Sequence, residues 1–388
     1  MNHKQQGVVS LFIVIFTTLL LTVLVVGFLR LMVQDEIQAT NRDLSQSAYD
    51  SAVSGVADAK RVIRACDTGN QNACAAINSQ QCDTVSKAGV VSNAANSSET
   101  IIQANGATTN LNQGYTCVII HNQADDFLGN LTSGASQLVP IKVVAPNGSP
   151  DTITSITIEW MHQGSSYSGG EPSSLSPPTA VTGTSLPTQG SWNPNSPAML
   201  RVQAVLPPNA NSVATAELDS SVASTVFLRP TMVSAAAGAP IPTFALPGSR
   251  ATSAQAQTTT PYAVACSNAG YQAGDYACKV TLTVPPVPTE STVAFLRVTS
   301  LYRDTSFRVT VAGKANPALQ FDGVQPVVDS TGRASNMFRR ISSRLDLSPA
   351  ILPPAAIDIT GSICKDFYLT DNQTPAQVPA GVTCTTAP

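Results

Sequence analysis

Charged residues are scarce in this chain. Of its 388 residues, 12% are Asp, Glu, Lys or Arg, and the formal net charge is -3. A protein whose main ligand is DNA or RNA presents a field of basic side chains, and this composition provides none. Nucleic acid is therefore not an expected partner.

Signatures of catalysis and metal binding are also missing. The sequence contains no HExxH, GxSxG or P-loop motif. It has only three histidines, and the first cluster of its eight cysteines lacks a CxxC step, which disfavours zinc. We expect no enzyme activity, no catalytic residue, no cofactor and no metal ligand.

A few weaker candidates have simpler structural interpretations. The stretch Asp67–Asn72 resembles a calcium loop but lacks the alternating carboxylates, so a turn that ends a helix is expected. Asp125 and Asp126 fit a solvated loop, and Arg339 and Arg340 fit opposite faces of a strand, paired with Asp346 or another acid. Local packing is also the expectation for the aromatic residues considered as a sugar- or surface-binding patch: Trp160, Trp192 and Tyr167.

The cysteines are even in number and clustered, which favours disulfides in a chain that leaves the cytosol. Cys266 and Cys278 flank a Gly-rich loop and should close a hairpin. The first four cysteines allow three connectivities, of which we choose Cys66–Cys74 with Cys82–Cys117.

An uncharged apolar run stands almost at the beginning of the chain, from Val8 to Leu29. As a helix it spans roughly 33 Å, enough to cross the hydrocarbon core of a bilayer. A cleavable secretory segment is usually shorter, about 7–15 residues, and ends in small residues. Bulky residues follow this run, so ordinary signal-peptide removal is not expected.

The helical pattern continues beyond the apolar run. Apolar or small residues recur at spacings of three, four and seven, which marks one face of a helix, and no proline precedes Pro140. Asp67–Asn70 supplies the stop signal. We predict one helix over residues 8–66, apolar all round in residues 8–30 and amphipathic thereafter, with its apolar stripe at Ile37, Leu44, Ala48, Ala52, Val56, Ala59 and Ile63.

The seven-residue head "MNHKQQG" resembles the leader of a type IV prepilin, because a short polar segment with one positive charge ends in Gly7 directly before the apolar helix. The resemblance covers roughly residues 1–66. It implies that a prepilin peptidase cuts after Gly7, that Val8 becomes the methylated N-terminus, and that the helix packs with its copies in a filament core. It also implies a C-terminal disulfide loop, here Cys364–Cys384.

One position departs from the pattern of that family. Type IV pilins usually carry Glu at the fifth residue after the cut, where this chain has Phe12. In the family, that Glu is thought to pair with the N-terminal amine of a neighbouring subunit. Members without it resemble minor pilins at the filament tip, although Phe12 packing in the shaft is the alternative.

The rest of the chain is expected to be rich in β-strands. Alternating residues predict strands at 115–121 and 151–162, and many short runs predict strands after residue 198. "LYRDTSF" and Asp322-Gly323 indicate hairpin turns. The expected fold is α+β, a lollipop-like pilin architecture in which antiparallel sheet follows the long helix. Its regions are a leader at 1–7, the helix at 8–66, a pilin-like head at 67–163, a Gly/Ser/Pro-rich linker or long loop at 164–197 and an all-β domain at 198–388.

The resemblance implies a structural function. The expected protein is a subunit of a type IV pilus-like filament, a large minor or tip-proximal pilin with an adhesive role. Its partners would be other pilin subunits, the prepilin peptidase, the membrane before assembly and a surface receptor. It would lie first in the cytoplasmic membrane and then in a filament on the cell surface. The alternatives are a pseudopilin of a type II secretion or DNA-uptake system and a membrane-anchored surface binding module.

Overall fold

The structure, a computed structural model, describes residues 6–91, 99–101, 112–164, 167, 170–178, 187–206, 223–232, 261–289 and 294–347. The leader residues before Gln6 and the expected Cys364–Cys384 loop lie outside these ranges. The described helices are α1 (Gln6–Asp67), α2 (Gln71–Ser79), α3 (Thr84–Ala88), a 3-10 turn (Gln189–Ser191) and α4 (Asn268–Gln272).

Fourteen strands are described, most of them within or beside the predicted runs. They are β1 (Thr100–Ile101), β2 (Gln113–Ala124), β3 (Phe127–Leu131), β4 (Ser136–Pro140), β5 (Val143–Val144), β6 (Thr152–His162), β7 (Met199–Val205), β8 (Ala223–Thr231), β9 (Tyr262–Ala265), β10 (Tyr276–Pro288), β11 (Phe295–Leu301), β12 (Thr305–Gly313), β13 (Gln320–Ala334) and β14 (Met337–Arg344).

These strands form three sheets. Sheet A has the order β1-β2-β13-β14, with β5 also on β13; sheet B is β10-β6-β12-β3; sheet C is β4-β11-β7-β8-β9. Among the described strand pairs, only β8 and β9 run parallel. The long helix followed by largely antiparallel sheet confirms the predicted α+β class.

Helix α1 (Gln6–Asp67) begins and ends within two residues of the predicted bounds, 8 and 66. Its apolar periodicity is unbroken, and residues 67–70 end it as predicted. The amide groups of Thr68 and Asn70 bond back to the last turn of α1, and the Asn70 side chain then caps α2. Asp67–Asn72 is thus a helix-ending turn, as predicted. The predicted stripe is buried only in part: Ala48, Ala52, Ala59 and Ile63 are buried, Leu44 and Val56 are half-buried, and Ile37 is exposed.

Two hydrophobic cores hold the fold together. The first lies between sheets B and C and includes Ile156 and Trp160 from one sheet and Leu200 and Val202 from the other. The second lies between sheet A and the helices α1, α2 and α3, around Ile63, Ile77, Tyr115 and Val118. Apolar residues that alternate along the strands of these cores, such as β7 and β12, therefore bury one face of the sheet.

Residues 164–197 do not separate two sets of strands. In every sheet, strands that precede this segment pair with strands that follow it, such as β2 with β13 and β6 with β12. The segment itself contributes Leu175 to the first core, and Ser196 is also buried. Composition predicts a linker or a long loop at 164–197, and the sheet pairing joins regions 67–163 and 198–388.

Two expected hairpins are wrong. "LYRDTSF" connects β11 in sheet C to β12 in sheet B, so the chain changes sheets there. Asp322 and Gly323 lie inside β13, at a shift in its register with β2, and Gly323 has φ +68°. Residues 323–326 have no partner on β2, so the chain bulges there, and the Val324 and Pro326 carbonyl oxygens accept hydrogen bonds from the Leu347 and Leu345 amides.

Three disulfides join the described cysteines in the pairs chosen from the sequence: Cys66–Cys74, Cys82–Cys117 and Cys266–Cys278. Their sulfurs are therefore not thiolates available to zinc. Cys266–Cys278 encloses α4 rather than a simple hairpin turn and connects the end of β9 in sheet C to β10 in sheet B.

One polar side chain closes the edge of sheet B. Gln325 donates a hydrogen bond from Nε2 to the Leu128 carbonyl oxygen at 2.7 Å, and its Oε1 accepts from the Leu128 amide at 2.9 Å. Leu128 belongs to the edge strand β3, so this side chain occupies positions that another strand's backbone would use.

Candidate membrane and assembly segment

The N-terminal part of α1 is apolar on all sides as far as Leu29, and the described structure does not bury it. Every residue from 10 to 43 is exposed, a stretch of roughly 50 Å at the helical rise. Its large apolar side chains are 48–75% exposed: Leu11, Phe12, Ile13, Val14, Ile15, Phe16, Leu19, Leu20, Leu21, Val23, Leu24, Val25, Val26, Phe28, Leu29, Leu31, Met32 and Val33. We call residues 11–29, which contain no charged side chain, the apolar half of α1.

The few polar side chains in the apolar half are satisfied within the helix. Thr17, Thr18 and Thr22 donate their hydroxyl hydrogens to carbonyl oxygens three or four residues earlier, at 2.8–3.0 Å. These bonds leave no side-chain donor that needs water. The segment is long and apolar enough to cross a membrane, which fits membrane anchoring.

The second half of α1, residues 44–67, is built for contact with sheet A. Its buried positions are small or apolar, and they face β2, β13 and β14. A side chain at Gly332 of β13 would overlap the backbone of Ala48 and Ala52, and one at Gly55 would overlap Ser330. Glycine at these positions lets helix and sheet approach more closely than other residues allow. We call residues 44–67 the packed half of α1.

Polar contacts fix the packed half in register with the sheet. Tyr115 of β2 donates a hydrogen bond from its hydroxyl to Asp58 at 2.9 Å, and Arg339 of β14 donates from Nε to Ser45 at 2.7 Å. Burial, reinforced by the Asp58 contact, raises the pKa of the Tyr115 hydroxyl well above its usual value. The phenol therefore remains a donor at any physiological pH.

The predicted processing site lies at the start of the helix. Gly7 and Val8 are both within the first turns of α1. Phe12, the fifth residue after the predicted cut, is 75% exposed at the surface of the apolar half. At this position the chain offers neighbouring molecules an aromatic ring and no carboxylate.

The weaker sequence candidates have structural partners. Asp126 forms an ion pair with Arg344 at 2.7 Å, and Arg340 pairs with Asp329 at 2.9 Å, an acid other than Asp346. Asp125 accepts a hydrogen bond from Gln320 at 2.8 Å.

The three aromatic candidates do not form one patch. Trp160 is fully buried, and its indole donates to the Ala198 carbonyl oxygen, whereas the Tyr167 hydroxyl donates to the His162 carbonyl oxygen. Trp192 stacks on Tyr302. Across the described ranges, no group of three or more His, Cys, Asp or Glu is placed to hold a metal ion.

The fold and the apolar helix define the class of molecule as an α+β protein with one N-terminal helix suited to a membrane. Comparison with known proteins adds no family: no family model, no curated protein and no solved structure matches the chain.

Proposed function

We propose that this protein is a structural subunit of a type IV pilus-like filament, held in the membrane by the apolar half of α1 before assembly. One observation carries the proposal: a single helix from Gln6 to Asp67 joins an exposed apolar half to a packed half fixed on sheet A. Such an exposed apolar surface requires lipid or other apolar helices around it. A pilin has both surroundings in turn: lipid before assembly and the apolar helices of other subunits in the filament core.

The short leader supports a processed subunit over a permanent anchor. Cleavage after Gly7 would leave Val8 as a methylated N-terminus just before the apolar half. Phe12 supports a minor or tip-proximal place, because a subunit without a carboxylate there cannot pair with a neighbour's terminal amine. The β-sheets would then be displayed on the cell surface, where an adhesive role becomes available.

Replacing Gly7 tests this function. Mass spectrometry of the wild-type protein from sheared filaments should show a methylated N-terminus at Val8. The Gly7→Val variant should keep its leader, stay in the membrane fraction and be absent from filaments. Gly27→Val is the matched control, since a side chain there has no atom within 4 Å, and it should be processed normally.

Two outcomes would contradict the proposal. A full-length wild-type protein that is displayed on the surface with Met1 intact would identify a membrane-anchored module. A processed protein that never enters surface filaments would identify a pseudopilin-type role instead.

A further inference from the structure

Three arginines form a diagonal across sheet C. Arg201 of β7 lies opposite Thr299 of β11 and Phe227 of β8, so Arg297 and Arg229 are its diagonal neighbours on the two adjacent strands. Diagonal neighbours of this kind lie about 7–8 Å apart, within reach of long side chains. The residues that alternate with these arginines are buried in the first core, among them Leu200, Val202, Leu228, Leu296 and Val298. All three arginines therefore lie on the opposite face of the sheet.

The positive charge on this face is not neutralised by the described residues. No ion pair between described residues involves any of the three arginines. Among the described residues, the buried Nε atoms of Arg201 and Arg229 have no hydrogen-bond acceptor, and Arg229 is only 9% exposed. Burial and then the charge of Arg297 lower the pKa of Arg201. Buried donors without acceptors are costly, and the charges of these guanidinium groups favour an anion at this face.

An aromatic pair lies at the Arg229 end of the diagonal. The rings of Trp192 and Tyr302 stack with centroids 5.2 Å apart and planes 30° apart. The Tyr302 hydroxyl donates to the Pro187 carbonyl oxygen at 2.5 Å, which fixes that ring, and the charge of Arg229 acts on the same phenol. The indole Nε1 of Trp192 is a further buried donor, and it has no acceptor in the part of the chain that the structure describes.

Solvent reaches this surface from its edges. Arg297 is exposed, and Arg201, Trp192 and Tyr302 are half-buried. The surface thus combines aligned guanidinium groups, donors that lack acceptors and a rigid aromatic platform. We call these five residues the arginine–aromatic surface: Trp192, Arg201, Arg229, Arg297 and Tyr302.

We propose that the arginine–aromatic surface binds an acidic polysaccharide. Carboxylates on successive sugars would accept hydrogen bonds from the guanidinium groups, and a sugar ring would lie against the Trp192–Tyr302 pair. A nucleic acid is a poorer fit, because its affinity depends on many phosphate contacts and this chain, with net charge -3, offers no wider basic field. The proposal is independent of filament assembly and applies equally to a membrane-anchored molecule.

The test measures binding of the full-length protein in detergent to polygalacturonate, a polymer of uronic acids. Binding is expected at low salt and should weaken as salt rises. The double variant Arg201→Gln/Arg297→Gln should bind at least roughly tenfold more weakly, since it removes two charged donors while leaving the more buried Arg229 in place. Arg64→Gln, a change of an exposed arginine on α1, should bind like the wild type.

Two further ligands separate charge from sugar recognition. Fully methyl-esterified polygalacturonate keeps the sugar rings without the carboxylates and should not bind. Polyglutamate keeps carboxylates without sugars, so Trp192→Leu should weaken binding of polygalacturonate and leave binding of polyglutamate unchanged. A folded double variant that binds as well as the wild type overturns the proposal, as does tighter binding of single-stranded DNA or no binding at all. Circular dichroism of each variant shows whether it is folded.

Discussion

The two halves of helix α1 are one continuous element with opposite surroundings. The packed half has small residues that fit against sheet A, with Gly55 and Gly332 at the closest approach, and its contacts are internal. The apolar half has large side chains that the described structure leaves exposed. The packed half is covered by its own chain, so its side chains must fit the shape of sheet A. The apolar half is not covered in this way, so its side chains must suit apolar surroundings outside the chain. The small buried Ala48 and the large exposed Leu20 therefore indicate which surroundings each half requires.

The largest effect is expected from the disulfide beside the packed half. Removing Cys82–Cys117, which spans 35 residues, should lower the free energy of unfolding by about 4 kcal/mol by the chain-entropy relation. The shorter Cys66–Cys74 link, spanning 8 residues, should cost about 2.5 kcal/mol. Denaturant unfolding of the double serine variants in detergent measures both. Equal losses would show that loop length does not govern stability here.

A charge in the apolar half should disturb membrane insertion and leave the fold intact. Leu20→Lys places a charge at the middle of the apolar run, at a cost of about 3 kcal/mol for insertion. The protein should shift from the carbonate-resistant membrane fraction to the soluble or degraded fraction. Ala57→Lys, at an exposed position of the packed half, serves as the control and should remain in the membrane fraction.

A side chain added at the closest approach of α1 and sheet A should have the opposite effect: it should lower stability and leave membrane insertion intact. Gly332→Ala should destabilise the fold by roughly 1–3 kcal/mol, because its methyl group overlaps the backbone of α1. Membrane insertion should not change. Gly190→Ala, where a side chain meets no atom within 4 Å, is the matched control for thermal unfolding. A variant as stable as this control would mean that helix and sheet separate without cost.

The smallest effect is expected at the polar contact between Tyr115 and Asp58. Tyr115→Phe should cost about 1 kcal/mol. The wild-type tyrosine has a raised pKa in the folded state, so its contribution is fully present below pH about 10 and is lost as pH rises through the folded pKa.

Unfolding measured across alkaline pH should therefore show a loss of stability that Tyr115→Phe reduces. Tyr49→Phe, at a side chain 47% exposed, should keep the wild-type pH profile. A profile that is the same in all three proteins would exclude Tyr115 as its source.

The sequence was sufficient where local pattern determines structure. Helix α1 follows from unbroken apolar periodicity and a stop signal, and β6 follows from the alternation of Ile156, Ile158 and Trp160 with Thr157 and Glu159. It was insufficient where partners are distant: "LYRDTSF" has turn composition, but only sheet pairing reveals that it leads from sheet C to sheet B. The short helices α2 and α3 were missed inside a polar stretch, although Asn70 is a recognisable helix cap.

The same limit applies to the functional surfaces. The apolar half of α1 was predictable because it is contiguous in the chain. The arginine–aromatic surface was not, because Arg201 and Arg297 become neighbours only through the register of β7 and β11. Alternation predicts that each points away from a core, but it does not predict which strands lie side by side. Trp192 was considered, yet its partner Tyr302 is 110 residues away.

Gln325 has a consequence for how these molecules tolerate crowding. Its side-chain amide bonds to both backbone groups of Leu128, as a peptide unit of a neighbouring strand would. Unlike a strand, it offers no further backbone N–H or C=O groups to which another strand could pair. Where copies lie side by side, in a bilayer or along a fibre, the Leu128 backbone of β3 would therefore not pair with a strand of a neighbouring molecule. An unprotected edge strand would promote uncontrolled polymerisation. The side-chain amide of Gln325 therefore protects one point of this sheet edge and leaves the apolar half of α1 exposed.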